Sequence, residues 1–176
     1  RGYKNVINEA IRLNKEGKEC HIAIETSGHA ALKENYFLDD GAYLVAKLLV
    51  EMARLKEKGQ DLIDLIKTLK RPVESKEYRF SIKVEDFAPY GNKVIEDLTQ
   101  KVESFSDWEV VKPNYEGVRV KCNGDGEDGW FLLRLSLHDP VMPMNIESNV
   151  EGGINKIMLR LKEVLKDFEG LDVSVL

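Results

Sequence analysis

Only two cysteines, Cys20 and Cys122, occur among the 176 residues. They are too few and too far apart for a disulfide framework, which fits a protein of a reducing compartment. No apolar run approaches the roughly 20 residues that span a bilayer, and no signal-peptide pattern opens the chain, so a membrane partner is not expected. Positive charge is not in excess either. Lys+Arg number 26 against Asp+Glu 31, a net charge of −5, which argues against a nucleic-acid module that relies on a basic surplus. The deficit is not hidden in one half: residues 1–70 hold 12 basic and 11 acidic side chains, residues 71–176 hold 14 and 20. Any anion site must therefore be local, built from a few placed donors. Internal repeats and low-complexity segments are absent, and the first residue is Arg1, as expected of a piece of a longer polypeptide. What remains is 43% apolar and 32% charged residues, enough for a core inside a solvated surface and for one ordinary domain or two small ones.

Periodicity divides the chain near residue 70. Val6, Ile7, Ala10, Ile11 and Leu13 form a helical stripe that stops at Gly17. Residues 20–25 are short, apolar and partly β-branched, the pattern of a buried strand. A polar loop over 26–40 follows, then a helix from Gly41 to about Lys58 with Asp39 and Asp40 at its positive end. Val45, Ala46, Leu48, Leu49, Met52 and Leu55 are its expected buried stripe. Leu62, Ile63, Leu65, Ile66 and Leu69 predict a third helix. Residues 1–70 thus read as helix, strand, helix, helix, an α/β unit with one strand and no complete sheet.

Residues 70–75 read as a linker. Beyond them Tyr78, Phe80, Ile82 and Val84 alternate with polar residues, a strand with one wet face. A helix face at Val94, Leu98, Val102 and Phe105 follows, then strands through Val110 and Val111, residues 118–122, 130–136 and 143–148. Turn chemistry fills 123–129, and Ile154, Ile157, Met158, Leu161, Val164, Leu165 and Phe168 trace a terminal amphipathic helix. Residues 71–176 read as a small α+β domain with a mostly antiparallel sheet and two helices.

Two loops carry candidate chemistry. Glu25, Ser27, Gly28 and His29 leave the end of the first strand within five residues. A carboxylate there can accept hydrogen bonds from neighbouring sugar hydroxyls, a hydroxyl can donate or accept, and an imidazole can move a proton near neutral pH. The plainer alternative is a solvated turn in which Glu25 pairs with a lysine and Ser27 caps the bend. A Ser27–His29 nucleophile lacks an elbow context. A metal site from Cys20, His21, Glu25 and His29 is opposed by strand geometry, which points Cys20 and His21 to opposite faces. In the second loop, Arg134 and Ser136 share one strand face, suited to phosphate or carboxylate, with His138 as a further donor. Here the alternative is an outward Arg134 bridged to a nearby acid. Asp125, Glu127 and Asp128 do not have the spacing of a calcium loop.

At these loops the chain resembles a known family. The run ETSGHAALKENYFLDDGAYLVAKLL is similar to the sugar-binding loop and following helix in the third domain of the α-D-phosphohexomutases, which include phosphoglucomutase, phosphomannomutase and phosphoglucosamine mutase. The matching positions are Glu25, Ser27, Gly28, His29, Lys33, Asp39, Asp40 and Gly41. Residues 1–4 resemble the family's Gly-aromatic-Lys segment. Residues 134–148 resemble the phosphate-binding loop of its fourth domain, with Arg134, Ser136, Pro140 and Glu147 fitting. Leu137, His138 and Asp139 replace the usual Gly-Thr-Glu.

The resemblance implies a division into a C-terminal part of the sugar-binding domain, residues 1–70, and a phosphate-binding domain, residues 71–176. It implies hexose phosphate and hexose bisphosphate as ligands, phosphoryl transfer between the 1 and 6 positions, and preceding N-terminal domains as partners. The family's phosphoserine loop and its magnesium-binding aspartates do not occur in this sequence, so Mg2+ is expected outside the chain, no cofactor within it, and no turnover by it alone. Substrate contacts then fall to Glu25, Ser27, Lys33, Arg134, Ser136 and His138, with His29 the candidate for proton transfer or substrate contact. The linker over 70–75 would let the last domain close over substrate. A cytoplasmic setting follows. A non-catalytic sugar-phosphate-binding or regulatory module is the competing expectation, favoured by the altered residues 137–139.

Overall fold

The computed structural model describes residues 2–25 and 27–174. Arg1, which opens the Gly-aromatic-Lys segment, and Thr26, inside the 25–29 loop, lie outside them. The chain divides into two compact units, residues 1–70 and 71–176.

The first unit contains α1 (Tyr3–Lys15), β1 (Ile22–Ile24), β2 (Ala30–Leu32) and α2 (Gly41–Glu57), with short 3-10 turns at Lys33–Asn35 and Leu62–Leu65. Helix α1 carries Arg12 and Lys15 in its last turn, where cations oppose the negative dipole end. Strands β1 and β2 pair antiparallel, with Ala23 opposite Ala31. The core of this unit is small: Ala10, Ala23 and Ala31, with Val6, Ile7, Cys20 and Phe37 against them.

Several sequence expectations change here. The 26–40 segment is not all loop, because Ala30–Leu32 supplies β2. Residues 62–69 do not form a third helix; Asp61 and Asp64 build a reciprocal capping box, but the helix ends after Leu62–Leu65. Ile22 and Ile24 of β1 are exposed, and only Ala23 is buried. On α2 only Leu55 is buried, while Val45, Ala46, Leu48 and Leu49 are exposed and Met52 is intermediate. The reason is one of dimensions. A 17-residue helix is about 25 Å long, and a pair of three-residue strands offers roughly 10 Å of sheet to lie on.

The second unit contains β3 (Glu74–Ser81), α3 (Phe87–Val102), β4 (Trp108–Val110), β5 (Val118–Cys122), β6 (Gly129–Leu133), β7 (Val141–Ser148) and α4 (Gly153–Leu165). Its five strands are all antiparallel, in the order β3-β7-β6-β5-β4. Alternation along the strands sends Phe80, Val118, Val120, Cys122, Phe131, Leu133, Met142, Met144 and Ile146 into one core with the apolar stripes of α3 and α4. Arg119, Lys121, Trp130, Asn145 and Glu147 take the opposite face by the same two-residue period. Strand β4 ends at Val110, so Val111 already belongs to the connection to β5.

Two polar devices fasten this unit. The Glu74 carboxylate accepts from Gly152 N and Ile154 N at 3.0 and 2.9 Å, closing the start of α4; those two amides hold the carboxyl below its usual range. Glu127, buried at the β5–β6 turn, accepts from Trp108 Nε1 at 2.7 Å and Gly124 N at 3.1 Å and pairs with Arg160 of α4 at 2.8 Å. Arg160 also grips Asp107 through two nitrogens. In this arrangement the oxygens of Glu127 hold a hairpin to a helix.

Candidate functional site

Glycine makes the first loop possible. Gly28 has φ +95°, with open space where a Cβ would stand, so the need is conformational and not steric. The turn closes with Gly28 N donating to Glu25 O and Glu25 N donating to His29 O, both at 2.9 Å. Within it the Glu25 carboxylate accepts from Ser27 Oγ at 3.0 Å and from Gly2 N at 3.2 Å, ahead of α1. The residues of the Gly-aromatic-Lys segment and of the 25–29 loop therefore meet.

His29 has two further neighbours. Its Nδ1 lies 2.7 Å from Asp39 Oδ2. A carboxylate can only accept, so Nδ1 is assigned the proton, and whenever the ring is neutral Nε2 is its acceptor nitrogen. The ring stacks on Tyr3, with centroids 4.7 Å apart and planes 21° from parallel. These contacts fix the imidazole at the edge of the turn. Ser27 does not donate to it; the hydroxyl is turned to Glu25, so no serine nucleophile is activated here.

Nothing in the linear order pairs Asp39 or Tyr3 with His29. Two adjacent aspartates before a helix read as two charges at its positive end. Only one residue can be the N-cap, and Asp40 takes that place, accepting from Tyr43 N at 2.9 Å. Asp39 is thereby left to face His29, a division of labour that the doublet itself could have suggested.

Lys33 is set apart. It begins the 3-10 turn after β2, whereas His29 precedes that strand, a separation of roughly 10–13 Å along the chain. It lines a depression of about 730 Å³ with His21, Ile22, Leu32, Glu34 and Lys47. His21 itself pairs with Glu19. Among the described residues no group of three or more His, Cys, Asp or Glu is placed to hold a metal ion.

The second loop joins β6 to β7. Arg134 N donates to Pro143 O at 3.1 Å and Ser136 N to Val141 O at 3.0 Å, so both residues extend the ladder and their positions are set by the sheet. The Arg134 guanidinium lies 3.8 Å from Glu116 Oε1, with side chains 25% and 21% exposed. Ser136 Oγ accepts from His138 N at 3.5 Å and Asp139 N at 3.3 Å, a hydroxyl-closed turn. Leu137 stands at the tip, 82% exposed. Glu147 is at the far end of β7, bonded to Trp130 Nε1 at 3.1 Å and Ser75 Oγ at 3.4 Å. Arg134, Ser136 and His138 thus lie on one connection, with the His138 backbone amide on Ser136 Oγ, and Glu147 lies at the other end of β7. No helix among the described residues is long and apolar enough to cross a membrane.

Residues 1–71 match the family description "Phosphoglucomutase/phosphomannomutase, alpha/beta/alpha domain III". The chain is 30% identical over 146 residues to a phosphoglucomutase of Neisseria gonorrhoeae, covering 82% of this chain and 29% of that protein. It is 30% identical over 165 residues to a phosphomannomutase/phosphoglucomutase of Pseudomonas syringae pv. tomato, covering 89% and 32%. A crystal structure of a phosphoglucomutase/phosphomannomutase family protein from Burkholderia thailandensis superposes with a TM-score of 0.67 at 27% identity, over 96% of this chain and 32% of that one. The chain spans about a third of the length of the relatives it matches. Loop pattern, fold and relatives agree: over most of its length the chain is similar to a C-terminal portion of the phosphoglucomutase/phosphomannomutase proteins of the α-D-phosphohexomutase family.

Proposed function

We propose that this chain supplies the sugar- and phosphate-holding parts of a phosphohexomutase that moves a phosphoryl group between the 1 and 6 positions of a hexose through a bisphosphate intermediate. The observation that carries this reading is the 25–29 loop, where a carboxylate, a hydroxyl and an oriented imidazole meet at one strand end. Glu25 and Ser27 take ring hydroxyls, exchanging their mutual hydrogen bond for bonds to sugar. His29 presents Nε2 to a substrate proton. Arg134, Ser136 and His138 hold the phosphate that is not reacting, and Lys33 adds positive charge at longer range. Holding both ends of the sugar uses remote binding energy to position the reacting oxygen. Residues 1–70 then act as the sugar-binding part and 71–176 as the phosphate-binding domain, with residues 70–75 as the hinge for closure.

The phosphorylated serine and the magnesium that neutralises charge on the transferring group come from preceding domains in this reading. Among the described residues no group of three or more His, Cys, Asp or Glu is placed to hold a metal ion, so none is given a metal role, and in this reading the chain alone performs no turnover. The two cysteines outside any disulfide suit a cytoplasmic protein.

A titration of the chain with glucose 6-phosphate and mannose 6-phosphate, followed by amide chemical shifts, tests the assignment. Shifts concentrated at residues 25–29 and 134–138 are expected, with Arg134→Ala weakening binding about tenfold or more, roughly 1.4 kcal/mol. Binding that is indifferent to Arg134→Ala removes that residue from the site. Glu25→Gln should change the preference between the two sugars without unfolding the unit. A mutase assay of the chain alone, and of the chain joined to the sequence that precedes it, decides between enzyme and module. The non-catalytic reading is favoured by one observation: the 138 and 139 amides are already turned to Ser136 Oγ and an apolar Leu137 occupies the tip. It expects binding in both assays and turnover in neither.

A further inference from the structure

Arg134 already has an anion beside it. Glu116 Oε1 stands 3.8 Å from its guanidinium, and both side chains are about three-quarters buried. That distance is beyond a hydrogen bond, so the attraction is Coulombic and uses no N–H. Arg134 Nε is enclosed and has no hydrogen-bond partner among the described residues. The pair is held from both sides by the backbone. Arg134 is fixed to β7 through Pro143 O. Glu116 precedes Gly117, which has φ +71° and lies so close to β6 that a Cβ would strike the Leu133 carbonyl oxygen and Arg134. Glycine is required there for conformation and for space, and the tight turn delivers Glu116 to the arginine.

We propose that Glu116 is the resident counter-ion of Arg134 and limits how tightly the arginine grips phosphate, an inference that rests on the phosphate-holding role given to Arg134 above. While no phosphate is bound, the carboxylate compensates a largely buried cation without spending its donors. When a phosphate dianion arrives, those donors turn to it, and the fixed carboxylate repels it across a few ångströms. Affinity is thereby set low enough for the phosphate to leave, as a sugar that must turn around between two steps requires. Glu116 is a positioning residue: it acts on the ligand through Arg134.

The test uses the 176-residue chain with inorganic phosphate and with glucose 6-phosphate, measuring affinity at several salt concentrations for the unsubstituted chain, Glu116→Gln, Glu116→Ala and Arg134→Ala. Both Glu116 variants are expected to tighten binding about fivefold and to steepen its salt dependence, since one fixed negative charge has gone. A purely structural role would leave the salt slope unchanged. Glu116 variants that bind equally or more weakly, while Arg134→Ala loses binding, overturn the counter-ion role and leave the phosphate site standing. Arg134→Ala binding like the unsubstituted chain overturns the phosphate site itself.

Discussion

Asp39 holds His29 in a single ring orientation, with Oδ2 2.7 Å from Nδ1 and Tyr3 stacked on the imidazole. The carboxylate selects the tautomer that is protonated at Nδ1. Asp39→Ala removes that selection, and the ring should relax toward the mixture of tautomers of a free histidine. Long-range 1H–15N spectra of the neutral form read this directly. One Nδ1–H pattern is expected for the unsubstituted chain and averaged nitrogen shifts for the variant. Identical spectra would show that Asp39 does not set the tautomer.

Glu127→Ala tests the hairpin fastening of the second unit. The substitution leaves Trp108 Nε1 and Gly124 N without their acceptor, while Arg160 keeps Asp107. Leaving donors of this kind unsatisfied costs roughly 1–3 kcal/mol each, so chemical denaturation should show a loss of about 2–6 kcal/mol. A change below about 0.5 kcal/mol, the range of ordinary surface substitutions, would mean the turn is held by something else.

Acid should weaken the second unit through named carboxylates. Hydrogen bonds from Ser174 and Lys83 lower Asp172 from 3.8 to about 2. Arg160 lowers Asp107, and the α4 amides lower Glu74. A depressed folded-state value means that the unfolded chain binds the proton more tightly. The stability these groups supply is therefore complete above their unfolded values of 3.8 and 4.5 and is lost as pH falls through the folded ones. For Asp172 the window runs from about 3.8 down to about 2. Thermal unfolding between pH 6 and pH 2 should show this decline, and Asp172→Asn should flatten its lowest part.

The first unit exposes an unusual amount of apolar surface. Ile22, Ile24, Val45, Leu48, Leu49, Ile63, Leu65 and Leu69 are all exposed, around a core built on three alanines. Apolar patches of this kind bind hydrophobic dyes and other chains. The chain should enhance anilinonaphthalene sulfonate fluorescence under native conditions. Ile24→Lys with Leu49→Lys should cut that signal by about half with little loss of stability, since neither side chain is in the core. A steep loss of stability would show that both side chains are packed.

The fold of the second unit was legible because its pattern and its environment agree. Tyr78, Phe80 and Ile82, or Val118, Val120 and Cys122, alternate because a sheet covered on one face sorts side chains with a period of two, and α4 shows its stripe because it lies on that sheet. The first unit was less legible for the converse reason. The stripe of α2 marks a face suited to burial, but burial also needs a surface to lie against, and two three-residue strands do not provide it. The residues at 62–69 have helical spacing and a capping box, yet a single turn is as far as they go. In the candidate site, the loop residues were readable as a motif, whereas their partners were not. Asp39 follows His29 by ten positions, Tyr3 precedes it by twenty-six, and Glu116 is eighteen residues from Arg134.

Residue types and short spacings alone determined the family resemblance, the break near residue 70, the strand and helix periods beyond it, and the two loops with donors and acceptors. Those features depend on neighbours along the chain. Tertiary structure decided which aspartate caps α2 and which faces His29, that Ser27 turns to Glu25, that Glu116 stands beside Arg134, and that Val45, Leu48 and Leu49 of α2 are exposed while Leu55 is buried. Each of these is a contact or a missing contact across a fold, where electrostatic attraction and desolvation depend on distances that linear order does not encode.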